Sequence, residues 1–191
     1  LAALKLAGLK ETDVRLIDLQ PTDLLAAWSR GDIDAAYVWD PTLAQLRKSG
    51  TVLTTSAALA KKGYPTYDLA VVSNSLRSQY PQVVQIWINQ QDRAVNLIKS
   101  DPNSAAKAIG PELNLKPQEV VSQLKGLVFL DAQQQASPSF LGTPQRTGQF
   151  AESLLKAAQF LKSQGKITAV PSIEALRSAI DTANLSKSVA Q

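Results

Sequence analysis

Apolar and polar positions follow two different periods along the first third of the chain. The stretches "VRLIDL" (14–19), "IDAAYVW" (33–39) and "TVLTTS" (51–56) are short, rich in branched or aromatic residues, and bounded by turn formers. That pattern predicts strands. Between them the spacing widens. In "QPTDLLAAWSRG", Leu24, Leu25 and Trp28 fall on one helical face, with Thr22 or Asp23 as cap and Gly31 as stop. "DPTLAQLRKSG" repeats the plan, with Asp40 as N-cap, Pro41 in the first helical position and Gly50 at the end. The opening "LAALKLAGL" sets Leu1 and Leu4 on one face before Gly8. Residues 1–56 thus read α-β-α-β-α-β. This is the order of parallel strands joined by right-handed crossovers.

A fourth strand is predicted at 69–72, and helices dominate thereafter. Val84, Trp87, Ile88, Gln91, Val95 and Ile98 keep helical spacing over one long segment. Shorter helices follow near Pro102, at "KPQEVVSQLKGL" with Val120, Val121 and Leu124 inward, at "QFAESLLKAAQFLKSQG", and from a Ser172 cap. "LDAQQQASPSFLGTPQ" reads as a long surface connection with one helical turn, and "NLSKSVAQ" as a frayed tail. Many amphipathic helices follow few strands. No cap or turn residue precedes Leu1, so the sequence reads as starting inside a helix. The preceding part is expected to supply the sheet on which the later helices lie.

Composition narrows the chemistry. The 191 residues include no cysteine and no histidine, and the net charge is +4. Disulfides, thiol nucleophiles, histidine-assisted serine chemistry and ordinary zinc sites are excluded. The basic residues are scattered, in "LRKSG", "AKKG" and "LKSQGK", and form no stripe suited to a nucleic-acid backbone. No apolar run approaches the ~20 residues of a membrane span. Phosphate-loop, dinucleotide-glycine and zinc-helix patterns are absent.

In open α/β sheets, ligands gather beyond the carboxyl ends of the strands. Those ends are Leu19-Gln20-Pro21, Trp39-Asp40-Pro41 and Thr54-Thr55-Ser56. Trp39 has two readings there, as one wall of a ligand cleft facing a cationic group, or as a core ring covering the sheet edge. Tyr37, two residues earlier and on the same face, reads as packing. Asp40 reads as a helix cap. Asp68 stands in "PTYDLAVV", between a turn and an apolar strand, where aspartate is disfavoured. Its carboxylate must meet water or a cation.

Taken together, "LQPTDLLAAWSRGDIDAAYVWDP", "GYPTYDLAVVSNSLRSQYPQVV" and "AAQFLKSQGKI" resemble the aliphatic-sulfonate, nitrate and taurine-type periplasmic binding proteins, most closely their taurine branch. The resemblance runs in order over most of the chain. It implies an α/β, type II periplasmic-binding-protein-like fold of two lobes, truncated at its N-terminus. Residues 1–62 are expected to form most of lobe two, 63–72 the return crossing, and 73–191 a mainly helical remainder packing on lobe one and the hinge. It implies a monomer, periplasmic or lipid-anchored, that binds a small sulfonate and docks on an inner-membrane ABC permease. No catalysis, cofactor, metal or nucleic acid is expected. Taurine pairs a sulfonate with an ammonium, and such an ammonium calls for a carboxylate and an aromatic wall. Asp68 falls where the resemblance places the amine-binding carboxylate, Trp39 falls at the cleft wall, and Tyr67 is a further candidate. The sulfonate donors are expected mostly before Leu1. Two other readings share the scaffold: a thiamine-pyrimidine-type protein and the effector domain of a transcription regulator.

Overall fold

The computed structural model describes residues 1–189. Their contacts divide into two compact units, residues 1–70 and the described residues from 71 onward.

The first unit holds four helices: α1 (Ala2–Leu6), α2 (Pro21–Arg30), α3 (Thr42–Leu46) and α4 (Ser56–Ala60). Helix α2 starts earlier than its hydroxyl and carboxyl residues suggest. Gln20 is the cap residue, in extended conformation, and Pro21 opens the helix. Proline suits this place because the first N–H has no helical acceptor. At the other end Gly31 takes φ +76°. Gly31 N–H then bonds the Trp28 carbonyl and Asp32 N–H the Ala27 carbonyl. Only a residue without Cβ enters that left-handed turn cheaply. Helix α2 buries Leu24 and Ala27, and packs against α3, which buries Leu46.

The predicted parallel strands do not pair. Residues 14–19, 35–39, 51–55 and 69–72 carry no strand ladder among the described residues. Leu16, Ile17, Leu53, Leu69 and Val71 are exposed. Strand-like alternation specifies which way side chains face, whereas a ladder also needs a neighbour in register. A parallel neighbour must be returned by a crossover of about a dozen residues or more. The helix between the second and third segments, α3, has only 5 residues.

The second unit is helical, with α5 (Asn74–Gln79), α6 (Pro81–Ser100), α7 (Pro102–Leu113), α8 (Pro117–Leu124), α9 (Ala132–Gln135), α10 (Phe150–Ser163), α11 (Ile173–Ser178) and α12 (Thr182–Val189). The long α6 packs against α5, α7 and α12. It turns Val84, Ile88, Val95 and Ile98 inward, while Trp87 and Gln91 lie off that face and are exposed. Ala105, Ala106 and Gly110 on α7 are buried. These small residues let neighbouring backbones come close. Asp101, Lys116, Asp131 and Ser172 precede helix starts, and the Asp101, Asp131 and Ser172 side chains each accept a backbone N–H from the first turn. Val120 is 2% exposed on α8.

Two sequence expectations change here. The polar run 130–145 holds its expected helical turn as α9, but the rest is a compact turn rather than an open connection, with an antiparallel ribbon of β1 (Gly142–Thr143) and β2 (Arg146–Thr147) and the Phe140 and Phe150 ring centroids 5.3 Å apart. "NLSKSV" is not a frayed tail. It belongs to α12, which buries Thr182, Asn184 and Leu185 and packs on α6 and α9; the last two residues of the expected tail lie outside the described residues. Polar groups help seat this helix. Gln85 Nε2 donates to Asn89 Oδ1 at 2.9 Å and to Ser188 Oγ at 2.7 Å. The Ser188 hydroxyl in turn donates to Asn89 Oδ1 at 2.6 Å.

Candidate functional site

The sequence directs attention to three residues of the first unit, Trp39, Tyr67 and Asp68. Their setting is built from the α2–α3 pair. Trp28 Nε1 donates to Ser49 Oγ at 3.0 Å, so the indole lies across the turn that follows α3. Gly50 makes room for it. A Cβ at Gly50 would meet Trp28 Cζ2 at 2.8 Å and the Leu46 carbonyl oxygen at 3.1 Å. Gly50 is therefore required by the close indole rather than by a left-handed helix stop.

At the other end of α3, Leu43 N–H donates to the Trp39 carbonyl at 2.9 Å. The backbone at Trp39 is thereby tied to the start of the helix. Asp40 is not the cap. The helix begins at Thr42 after Pro41, and no side chain caps it. The turn through Asp40 and Pro41 leaves the Trp39 ring 63% exposed. Trp39 is thus not a core ring.

Tyr37 is also not core. It is 66% exposed, and its hydroxyl shares a hydrogen bond of 3.0 Å with Ser56 Oγ. Val38 between the two rings is half-buried. Ser56 opens α4, whose cap Thr55 accepts Ala58 N–H on its hydroxyl at 3.2 Å. Leu59 anchors this short helix in the core.

Tyr67 and Asp68 lie in the irregular stretch before α5. Tyr67 is 39% exposed and Asp68 is exposed. No hydrogen bond or ion pair takes up the Asp68 carboxylate, and no hydrogen bond or ring contact joins it to Trp39, among the described residues. The structure places all three residues on the surface of one unit, and no internal hydrogen bond or ion pair takes up the Trp39 ring or the Asp68 carboxylate among the described residues.

Two open hollows lie in the second unit instead. One, of about 380 Å³, is lined by Pro81, Gln82, Gln85, Ile86, Asn184 and Lys187. The other, of about 270 Å³, is lined by residues that include Asp92, Asn96 and Asp131. Their polar groups mostly serve the fold. Asp92 Oδ1 accepts Ala132 N–H at 2.6 Å, and Asp131 bonds Lys99 Nζ at 2.7 Å. The Lys99 ammonium and the Gln134 N–H hold the Asp131 carboxyl below the usual aspartate range. No group of three or more metal-ligating side chains occurs among the described residues, and no described helix is long and apolar enough to cross a membrane.

Tyr37, like Asp40, is read differently by the sequence and by the structure. Its spacing from Trp39 carries the signal that both rings share a side. Only the coordinates show that the side is open.

Comparison with known proteins agrees with the resemblance. Residues 1–110 match the NMT1-like family. The chain is 38% identical over 178 residues to the taurine-binding periplasmic protein of Escherichia coli (strain K12), covering 89% of this chain and 53% of that one. It is 28% identical over 146 residues to a putative aliphatic sulfonates-binding protein of the same organism, covering 71% of this chain and 46% of the other. The chain spans about half the length of these curated relatives. With more than half of its residues inside the family match, the chain belongs to the NMT1-like family.

Proposed function

We propose that the protein is the solute-binding component of an ABC importer. It takes taurine or a related small alkanesulfonate between two lobes and delivers it to a membrane permease. It performs no reaction on that solute and works outside the cytoplasm as a monomer. Asp68 accepts the ammonium of the ligand, Trp39 forms an aromatic wall beside it, and Tyr67 flanks the carboxylate.

One observation carries the reading. A large indole stands open on the first unit, its backbone tied to α3, while the Asp68 carboxylate on the same unit has no internal partner among the described residues. A tryptophan buries one of the largest apolar surfaces of any side chain. Leaving it outside a core is consistent with a surface kept for a ligand. The names of the two relatives, a taurine-binding and a putative sulfonates-binding protein, suggest the ligand class.

The test is Asp68→Asn in the full-length gene product, followed by titration calorimetry with taurine. Loss of a charge-assisted hydrogen bond is expected to cost ~1.5–3 kcal/mol, roughly ten- to a hundredfold in Kd. Ethanesulfonate, which lacks the amine, is expected to bind the variant and the parent alike. Unchanged taurine affinity removes Asp68 from the site.

A further inference from the structure

We propose that Tyr37 is a second ligand-contacting wall. It is held in place by Ser56, and with Trp39 it frames the ammonium end of the solute. The inference rests on the reading above and adds to it a residue that determines specificity for a small primary ammonium.

Four observations lead there. Tyr37 is 66% exposed within its unit, so its ring is open to solvent there. Its hydroxyl is nonetheless engaged, at 3.0 Å from Ser56 Oγ. The phenol is thus tethered at its far end while its faces stay open. Val38 is half-buried between two exposed neighbours, as expected when Tyr37 and Trp39 project to the same side. Finally, the Trp39 backbone and the partner of the Tyr37 hydroxyl are both held. Trp39 is tied to α3 through Leu43, and Ser56 belongs to α4, which Leu59 anchors.

A ring tethered before the ligand arrives loses little rotamer freedom on binding. The electron-rich faces of tyrosine and tryptophan attract an ammonium and give nothing comparable to a neutral alkyl group. A pair of such faces therefore distinguishes taurine from the same sulfonate without its amine. Ser56 is a positioning residue here, acting through the Tyr37 hydroxyl.

The experiment compares Tyr37→Ala, Tyr37→Phe, Ser56→Ala, the Tyr37→Phe/Ser56→Ala double variant and Asp68→Asn in the full-length gene product. Each is titrated with taurine and with ethanesulfonate. Tyr37→Ala is expected to weaken taurine binding by about three- to thirtyfold, the range of a cation–π contact, and to leave ethanesulfonate unchanged. Tyr37→Phe and Ser56→Ala are each expected to cost taurine a smaller factor, and the double variant no more than either single one. Should Tyr37→Ala fail to fold, the phenylalanine and serine variants still decide, since both retain the ring or its neighbour. Taurine affinity untouched by Tyr37→Ala, equal losses for both ligands, or fully additive effects of Tyr37→Phe and Ser56→Ala overturn the inference. An Asp68→Asn variant that binds taurine normally overturns the assignment of Asp68 instead, so the two failures are told apart.

Discussion

Replacing Gly50 with alanine tests the framework that carries Trp39. The added methyl would stand 2.8 Å from Trp28 Cζ2 and 3.1 Å from the Leu46 carbonyl oxygen. The carbonyl belongs to the last residue of α3 and accepts Gly50 N–H at 2.8 Å, so it has little freedom to retreat. The indole must tilt, and the Trp28–Ser49 bond of 3.0 Å is strained or lost. Overpacking costs about 1–3 kcal/mol, and a lost hydrogen bond about 0.5–1.5 kcal/mol. The smaller conformational freedom of alanine in the unfolded chain returns about 0.4–1 kcal/mol. The balance is a destabilisation of about 2 kcal/mol, a fall in Tm of about 4–8 °C for a chain of this size. Thermal melting followed by circular dichroism reads this directly. Trp28→Phe supplies the control, because it removes the ring atom that the methyl meets. In that background Gly50→Ala is expected to cost less than half as much. A Gly50→Ala protein that melts like its parent, or two changes whose costs simply add, would refute the close packing of Trp28 on Gly50.

Two further outcomes concern the second unit. The Asp131 carboxyl is held below its ordinary value of 3.8, so its ionised form stabilises the fold above that pH and the contribution is lost as pH falls toward the folded value. Asp131→Asn is therefore expected to lower the urea midpoint near neutral pH, by a modest amount equivalent to about 0.5–1 kcal/mol for a partly exposed pair, with the difference from the parent vanishing in acid. A difference that grows on acidification contradicts the assignment. Leu185, 4% exposed on α12, is expected to cost about 2–4 kcal/mol on truncation to alanine. An unchanged midpoint in urea would mean that α12 is not seated as described.

The helices were more legible in the sequence than their neighbours because their signals are local. Gly31 ends α2 through its own backbone conformation, and Ser172 caps α11 by reaching three residues ahead. Both facts need only adjacent chain. Strand-like segments are different. The alternation around Tyr37 and Trp39 gives the direction of the side chains, but pairing depends on a distant neighbour that the pattern does not name. Tyr37 therefore reads as packing from its sequence, although its ring is open. The opposite error affected α12. Asn184 and Ser188 look like solvated residues, yet Asn184 is buried and Ser188 is taken up by Gln85 and Asn89. For the candidate site, the residue types at 39, 67 and 68 were readable in advance. The tether on Tyr37 was not, since a serine nineteen positions away supplies it.

The amide and hydroxyl clasp between α6 and α12 has a consequence for how the helices find one alignment. A leucine slides along an oily groove with little change in energy, so Leu185 alone would accept neighbouring settings. Donors and acceptors mate only at one spacing, and a shift of a single residue would strand Gln85 and Asn89 in a half-dry seam. The clasp therefore acts like the teeth of a key, contributing less to how firmly α12 is held than to where it stops.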